Sequence, residues 1–363
     1  MRRGERLKPL LKWWLLSRFL FAVGFVLAVL LTDGLTTQID QGLFAWDAAF
    51  YRDIARLGYE EIGREAIRFF PAYPVSARLM ARPLGISPDL PLILLSNVTA
   101  LVASLGVVRL AREEGMDNET ATRSAAYGLL LPPAFVTVMG YAEGPFLVAA
   151  VAFLLCLRRR MPLAGWTVGV VGGLLRPQGI LLSVAALVKA AQDLTRETES
   201  KRRKVLSDLF VASGPVVGTA VFLGFARHLY GDLFEPYRVQ ESFRGSFEFP
   251  WSRIVAAFGD LFGPEMLRDG LHTPFVVAAV VLCVVVVRRC SPPLAAYTIA
   301  VVGVSLSATN LNSFERYVYA TPPIWMAVGA LTRSRRVHHV TVALCCLLLV
   351  GMVTLAYMGE MVP

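Results

Sequence analysis

The chain has 363 residues, of which 55% are apolar and only 17% charged, with a mean hydropathy of +0.56. Soluble domains carry roughly a quarter charged residues, so this composition excludes an ordinary soluble globular protein. The net charge of +9 is no argument for nucleic acid, because in a membrane chain the placement of charge matters more than its total.

The apolar residues fall in blocks separated by short charged stretches, which predicts an all-α, polytopic helical membrane protein. Eleven segments are expected, near 15–31, 91–110, 124–139, 141–157, 163–175, 177–191, 208–226, 274–287, 293–309, 317–332 and 340–358. The first is longer than a signal-peptide core and lacks a small-residue cleavage site, so it reads as a retained helix. Several later segments are short for a crossing, and these must tilt, break or stop inside protein. No hydrophilic stretch is long enough for a separate soluble domain, so residues 1–363 are expected to form one integral-membrane domain. The five cysteines (Cys156, Cys283, Cys290, Cys345 and Cys346) lie in or beside apolar blocks without metal-ligand spacing.

Orientation follows from Lys and Arg. With the N-terminus inside, 23 of the 36 basic residues fall on the cytoplasmic side, including every lysine and the clusters at 158–160, 201–204, 288–289 and 333–336. The other face holds arginine alone, with 18 of the 27 acidic residues. That face carries two long loops, 32–90 and 227–272, read as a cap over an active site, together with turns near Tyr141 and Arg176 and the stretch 310–316.

The first loop contains FAWDAAFYRDIARLGYE, residues 44–60. Asp47, Tyr51, Ile54 and Gly58 share one helical stripe, predicting an amphipathic helix in the membrane interface with Asp47 at its N-terminus. Asp47 is either a helix cap or a functional carboxylate. The aromatic-proline run RFFPAYP (68–74) suits the lining of a cleft with stiff, non-helical backbone, or else an interfacial aromatic belt. In YAEGPF (141–146), Glu143 caps the next helix or faces a site. Arg176 interrupts the apolar run LLRPQG and either snorkels to the interface or meets a partner in a cavity. Glu315 and Arg316 stand where a helix re-enters the membrane, as an internal ion pair or as part of the same site.

Together these readings place Asp47, Glu143, Arg176 and Arg316 at one membrane face. Carboxylates there suit acid–base work, and arginine forks suit a phosphate. The sequence has no GxxxxGK[ST] loop, no strand-linked GxGxxG and no histidine cluster, so neither nucleotide, metal nor other cofactor is expected. An enzyme facing away from the cytosol needs a donor that arrives within the membrane, and a sugar on a lipid phosphate meets that need.

In order along the chain, FAWDAAFYRDIARLGYE, FFPAYP, PPAFVTVMGYAEGPFLVAAVAFLL, GGLLRPQGILL and FERYVYATPPIWMAVG resemble the PIG-V type of mannosyltransferase. That type includes the second mannosyltransferase of GPI-anchor assembly and smaller bacterial relatives, within the GT-C class of polytopic glycosyltransferases. The resemblance spans roughly 44–330, and its Trp-Asp start and Phe-Phe-Pro-x-Tyr-Pro run are its most specific parts. It implies inverting transfer of mannose from a polyprenyl-phosphate mannose to a glycolipid or other acceptor hydroxyl, in the cell membrane and outside the cytoplasm. Asp47 is the implied base. Trp46, Tyr51, Tyr59, Phe70, Tyr73, Tyr141, Glu143, Arg176 and Arg316 are the implied substrate-binding residues, and Gly179 matches a later motif. The 227–272 loop has no alignable motif, which leaves the acceptor open. Two other readings are a lipid-linked sugar transporter or flippase, which calls for mid-membrane charges and repeated halves, and a GT-C enzyme that uses another lipid-linked sugar.

Overall fold

The computed structural model describes residues 3–195, 200–262 and 269–362, with side chains from Lys8 onward. Among these residues all regular structure is helical. In chain order the α-helices are α1 (Arg3–Leu31), α2 (Thr37–Gln41), α3 (Asp47–Arg56), α4 (Tyr59–Ile62), α5 (Ala72–Ala81) and α6 (Asp89–Glu113). Then come α7 (Asn118–Leu130), α8 (Glu143–Arg158), α9 (Pro162–Leu175), α10 (Leu182–Thr195), α11 (Lys201–Tyr230) and α12 (Glu235–Arg244). The last are α13 (Pro250–Asp260), α14 (Asp269–Arg289), α15 (Pro292–Ser305), α16 (Phe314–Tyr319), α17 (Pro322–Leu331) and α18 (Arg335–Met358).

Five of them, α1 from Lys8, α6, α11, α14 and α18, are long and apolar enough to cross a bilayer. The chain is a multi-pass membrane protein. The expected eleven crossings are not reproduced as eleven spans. Each predicted segment falls on helix, but the other six are shorter or broken, and proline accounts for the breaks. Segment 124–139 leaves its helix at Leu131 and continues as a 3₁₀ turn from Pro132, and 317–332 is split before Pro322 by Thr321 in extended backbone.

The helices alternate in direction, which gives the bundle two ends of different chemistry. At one end ion pairs join Arg158 to Glu114, Arg159 to Glu113, and Arg160 to Asp193 and Asp208. These link α8 to the end of α6 and to the neighbouring ends of α10 and α11. At the other end lie α2 to α5, α12, α13 and α16, of which α3, α12 and α16 line the cavity described below. Part of the expected 227–272 cap, residues 263–268, lies outside the described residues.

The α9–α11 contact is close and rests on glycines spaced by four on both helices. A methyl group on Gly218 would stand 2.1 Å from the Val170 carbonyl oxygen, and one on Gly214 2.4 Å from that of Trp166. From the facing helix, a methyl on Gly173 would stand 2.2 Å from the Pro215 carbonyl. Only glycine permits this approach, and in lipid such close packing is a principal source of helix association. Gly218→Ala is therefore expected to destabilise the bundle by about 1–3 kcal/mol or more. Gly224→Ala, with nothing within 4 Å of the added methyl, should be neutral or slightly stabilising. Thermal unfolding of the two variants in detergent separates these outcomes.

Candidate functional site

The site is built where α3 and α16 meet, and each begins on strained backbone. Trp46 precedes α3 at φ 59°, and Ser313 precedes α16 at φ 62°. Non-glycine residues held in this region cost on the order of 1–3 kcal/mol and persist only where the surroundings fix them. Trp46 is fixed by its indole, whose Nε1–H donates to the Ala356 carbonyl at 3.0 Å. Asp47, next after the first bend, pairs with Arg316, three residues after the second, since Arg316 Nη2 donates to Asp47 Oδ2 at 2.7 Å and to Ser313 Oγ at 3.2 Å.

From Asp47 the ion pairs extend in two directions. Its Oδ1 lies 3.6 Å from Arg68 Nη2. Arg316 Nε lies 3.4 Å from Glu143 Oε1, and Glu143 pairs in turn with Arg176. The cluster is thus continuous from Arg68 through Asp47, Arg316 and Glu143 to Arg176. Two tyrosines brace it. Tyr141 Oη accepts the Asp47 backbone N–H at 3.2 Å and lies under the Arg316 guanidinium, 5.1 Å from ring centre to cation. Tyr317 takes Arg176 and Arg244 over its ring at 5.2 and 5.0 Å. Burial pushes the phenols of Tyr51 and Tyr141 above the ordinary tyrosine range, so both stay protonated at neutral pH.

Asp47 and Glu143 differ in access. Glu143 is fully buried, whereas the Asp47 side chain is 22% exposed and opens on a cavity of about 300 Å³. Arg68, Arg176, Arg244 and Arg316 also line that cavity. With Glu143 behind the wall, four guanidinium groups face two carboxylates. Arg244 has no carboxylate partner among the described residues. Its Nη2 donates to the Ser305 carbonyl at 2.9 Å, its Nε is buried without a hydrogen bond, and burial, with repulsion from Arg316 adding, lowers its proton affinity. Arg68, besides its pairing with Asp47, is held by rings, with Phe243, Phe69 and Phe50 at 3.8, 4.6 and 5.2 Å from its guanidinium carbon.

The expected residues divide into two groups. Trp46, Asp47, Tyr51, Arg176 and Arg316 line the cavity, and Tyr141 and Glu143 stand directly behind them. Tyr59, Phe70 and Tyr73 do not line it. Tyr59 Oη donates to the Phe69 carbonyl at 2.6 Å, Phe70 packs on Phe222, and Tyr73 Oη donates to the Leu92 carbonyl at 2.8 Å with its ring edge-on to Tyr51. Their part is to hold Phe69 and Tyr51 in place. The run 68–74 is not non-helical throughout, since α5 begins at Ala72 and accepts Pro74 in its first turn.

Other expectations are corrected by geometry. Trp46, not Asp47, is the N-cap of α3, and no side-chain cap bond forms there. The helix stops at Arg56, so Gly58 falls off the predicted stripe, where Tyr51 and Ile54 remain buried. Glu143 likewise makes no capping bond and spends its carboxylate on arginines. Arg176 does not snorkel; it is 4% exposed. Glu315 and Arg316 do not pair with each other, because Glu315 Oε2 meets His272 Nδ1 at 2.7 Å on the far side of α16. Sequence reasoning missed Arg244 and Phe243 of α12. It also passed over Arg68, although that arginine opens the aromatic-proline run. Among the described residues no three metal-ligating side chains gather.

A second hollow of about 690 Å³ runs between α14, α17 and α18, walled by residues such as Leu282, Val328 and Leu348. It reaches the cavity end at Glu315 and Met361, whose chain neighbours Arg316 and Val362 line the polar cavity. A thin wall of α16 and the chain after α18 thus separates a cationic pocket from an apolar groove.

The chain matches no protein-family model, and no curated protein matches it. Among solved structures it is similar to the Archaeoglobus fulgidus oligosaccharyltransferase. Against the form tethered to an acceptor peptide the TM-score is 0.48, and against the apo form 0.47, each at 12% identity over 95% of this chain. Against the archaeal oligosaccharyltransferase AglB from Archaeoglobus fulgidus in complex with an inhibitory peptide and a dolichol-phosphate the TM-score is 0.45, again at 12% identity over 95% of this chain. These matches cover 55%, 56% and 55% of the respective chains, so this chain spans about half the length of the proteins it is similar to.

Proposed function

We propose that the chain is a glycosyltransferase that moves mannose, with inversion, from a polyprenyl-phosphate mannose to an acceptor hydroxyl. The observation that carries this reading is the partly exposed carboxylate of Asp47 in a cavity whose other charges are arginines. An excess of guanidinium fits a phosphate, and a single accessible carboxylate fits a general base. The adjacent apolar groove fits a substrate that brings a hydrocarbon tail, and the motif resemblance supplies mannose. The excess of basic residues at the opposite end supports an extracytoplasmic cavity.

The acceptor oxygen attacks the anomeric carbon while the bond from that carbon to the phosphate oxygen breaks, and the bonding pair leaves with the phosphate. Asp47 Oδ takes the acceptor proton as the oxocarbenium character peaks. Arg244 and Arg68 face the departing phosphate. Arg316 and Arg176, already paired with carboxylates, fix Asp47 and close the wall. Trp46 and Tyr51 border the sugar. A transporter reading is less well supported, because the cluster of Asp47, Glu143, Arg176 and Arg316 lies at one end of the bundle.

Arg244 provides the test. Arg244→Ala is expected to weaken retention of radiolabelled polyprenyl-phosphate mannose by the purified chain about tenfold to a hundredfold, the worth of a charged hydrogen bond. Arg244→Lys should restore only part, because it lacks the fork. Unchanged donor retention in Arg244→Ala would remove the phosphate from this part of the cavity.

A further inference from the structure

Helix α13 is amphipathic in an inverted sense, with charge inside and aromatic surface outside. Trp251, Val255, Phe258 and Phe262 follow the spacing of one helical stripe, and they are 66%, 72%, 49% and 91% exposed. Phe247 and Phe249 extend the stripe. Phe249 stacks on Trp251 at 4.6 Å between ring centres and meets Phe247 edge-on at 5.3 Å. The opposite face is fastened down, with Arg253 Nη2 donating to Asp260 Oδ2 and Asp269 Oδ2, each at 2.8 Å, and Thr273 Oγ1 donating to the Ala257 carbonyl. Asp269 and Thr273 open α14, a membrane-crossing helix whose exposed face carries Val277, Val281 and Val284.

We propose that the α13 stripe is seated in the lipid leaflet at the cavity end of the bundle, and that this seat holds one wall of the cavity. The partner is lipid because the stripe continues the hydrocarbon-facing surface of α14 and consists of the aromatic residues that favour the membrane interface. Between 245 and 262 the only charged residues are Glu248, Arg253 and Asp260. With Arg253 buried, the seat has no basic patch and does not require anionic headgroups. The link to the cavity is short. Gln240, Phe243 and Arg244 of α12 line it, and the Arg244 and Ser246 carbonyls accept the backbone N–H groups of Asn310 and Thr309, just before the cavity residues Asn312 and Ser313. Three residues beyond Arg244 the aromatic stripe begins. Such a seat shapes the fold around the cavity and is independent of the reaction.

The test uses the full chain in nanodiscs of zwitterionic phosphatidylcholine. Trp251 fluorescence is obtained as the difference between the intact chain and Trp251→Phe, which keeps the stripe apolar. That difference signal is expected to fall at least twofold with dibrominated phosphatidylcholine, to resist aqueous iodide, and to be unchanged by salt. Quenching by iodide but not by brominated lipid would overturn the proposal. So would efficient cross-linking of two copies through Val255→Cys, which would make a second chain the partner. In Val255→Ser/Phe258→Ser, hydrogen exchange of residues 240–246 should quicken severalfold in the bilayer. Unchanged exchange there would overturn the claim that the seat holds the cavity wall.

Discussion

Asp47→Asn is expected to lower turnover by about a hundredfold or more, the usual worth of a positioned base, while donor binding survives. The isosteric amide keeps the size of the side chain and its place between Arg316 and Arg68, but it can no longer take a proton. Because the carboxylate makes no capping bond to α3 and is partly solvated, the loss of stability should stay near 1 kcal/mol. Donor affinity should hold or rise slightly, since removal of one negative charge leaves the arginines more strongly cationic toward a phosphate. Turnover and donor retention measured on the same preparation check both halves. Intact turnover would return Asp47 to a structural role.

Glu143→Gln should show the opposite balance, with a large loss of stability. Glu143 is fully buried and is the shared partner of Arg176 and Arg316, themselves 4% exposed. Removing one charge from such a cluster leaves uncompensated guanidinium groups in a low-dielectric interior, at a cost of about 3–5 kcal/mol. Replacing Glu143 and Arg176 together by Met should recover much of that loss, because Arg316 keeps Asp47 as its partner. Thermal midpoints of the single and double variants provide the check. A single variant as stable as the parent chain would contradict the charge cluster described here.

The contrast between these two carboxylates shows what the sequence can and cannot convey. Asp47, Glu143, Arg176 and Arg316 were legible because each interrupts apolar sequence, where an ionisable side chain demands an explanation. Their division of labour was not legible, because it depends on which carboxylate reaches the cavity. Tyr59, Phe70 and Tyr73 share a motif with cavity residues, yet their side chains turn to Phe69, Phe222 and Leu92. Motif membership does not specify direction. Arg244 lay in a polar stretch where an arginine draws no attention, and only the folding of α12 over Tyr317 gives it a role.

The fold divides in the same way. Hydropathy located the apolar segments, but the prolines at 132 and 322 break two of them and four others form only short helices, so among the described residues five helices rather than eleven have the length to cross. The glycines at 165, 169 and 173 and at 214 and 218 were present as a four-residue rhythm on two segments. That rhythm becomes interpretable only when α9 and α11 are seen side by side.

The central claim is that Asp47 and the arginines around it perform inverting transfer from a lipid phosphate sugar. Its most direct test is the configuration of the product. The purified chain is incubated with polyprenyl-phosphate mannose labelled with ¹³C at the anomeric carbon, together with candidate glycolipid acceptors, and the new glycosidic bond is read by NMR. The expected result is release of polyprenyl phosphate with the anomeric configuration inverted, and loss of both in Asp47→Asn. Retained configuration, or release that persists in Asp47→Asn, would contradict the account.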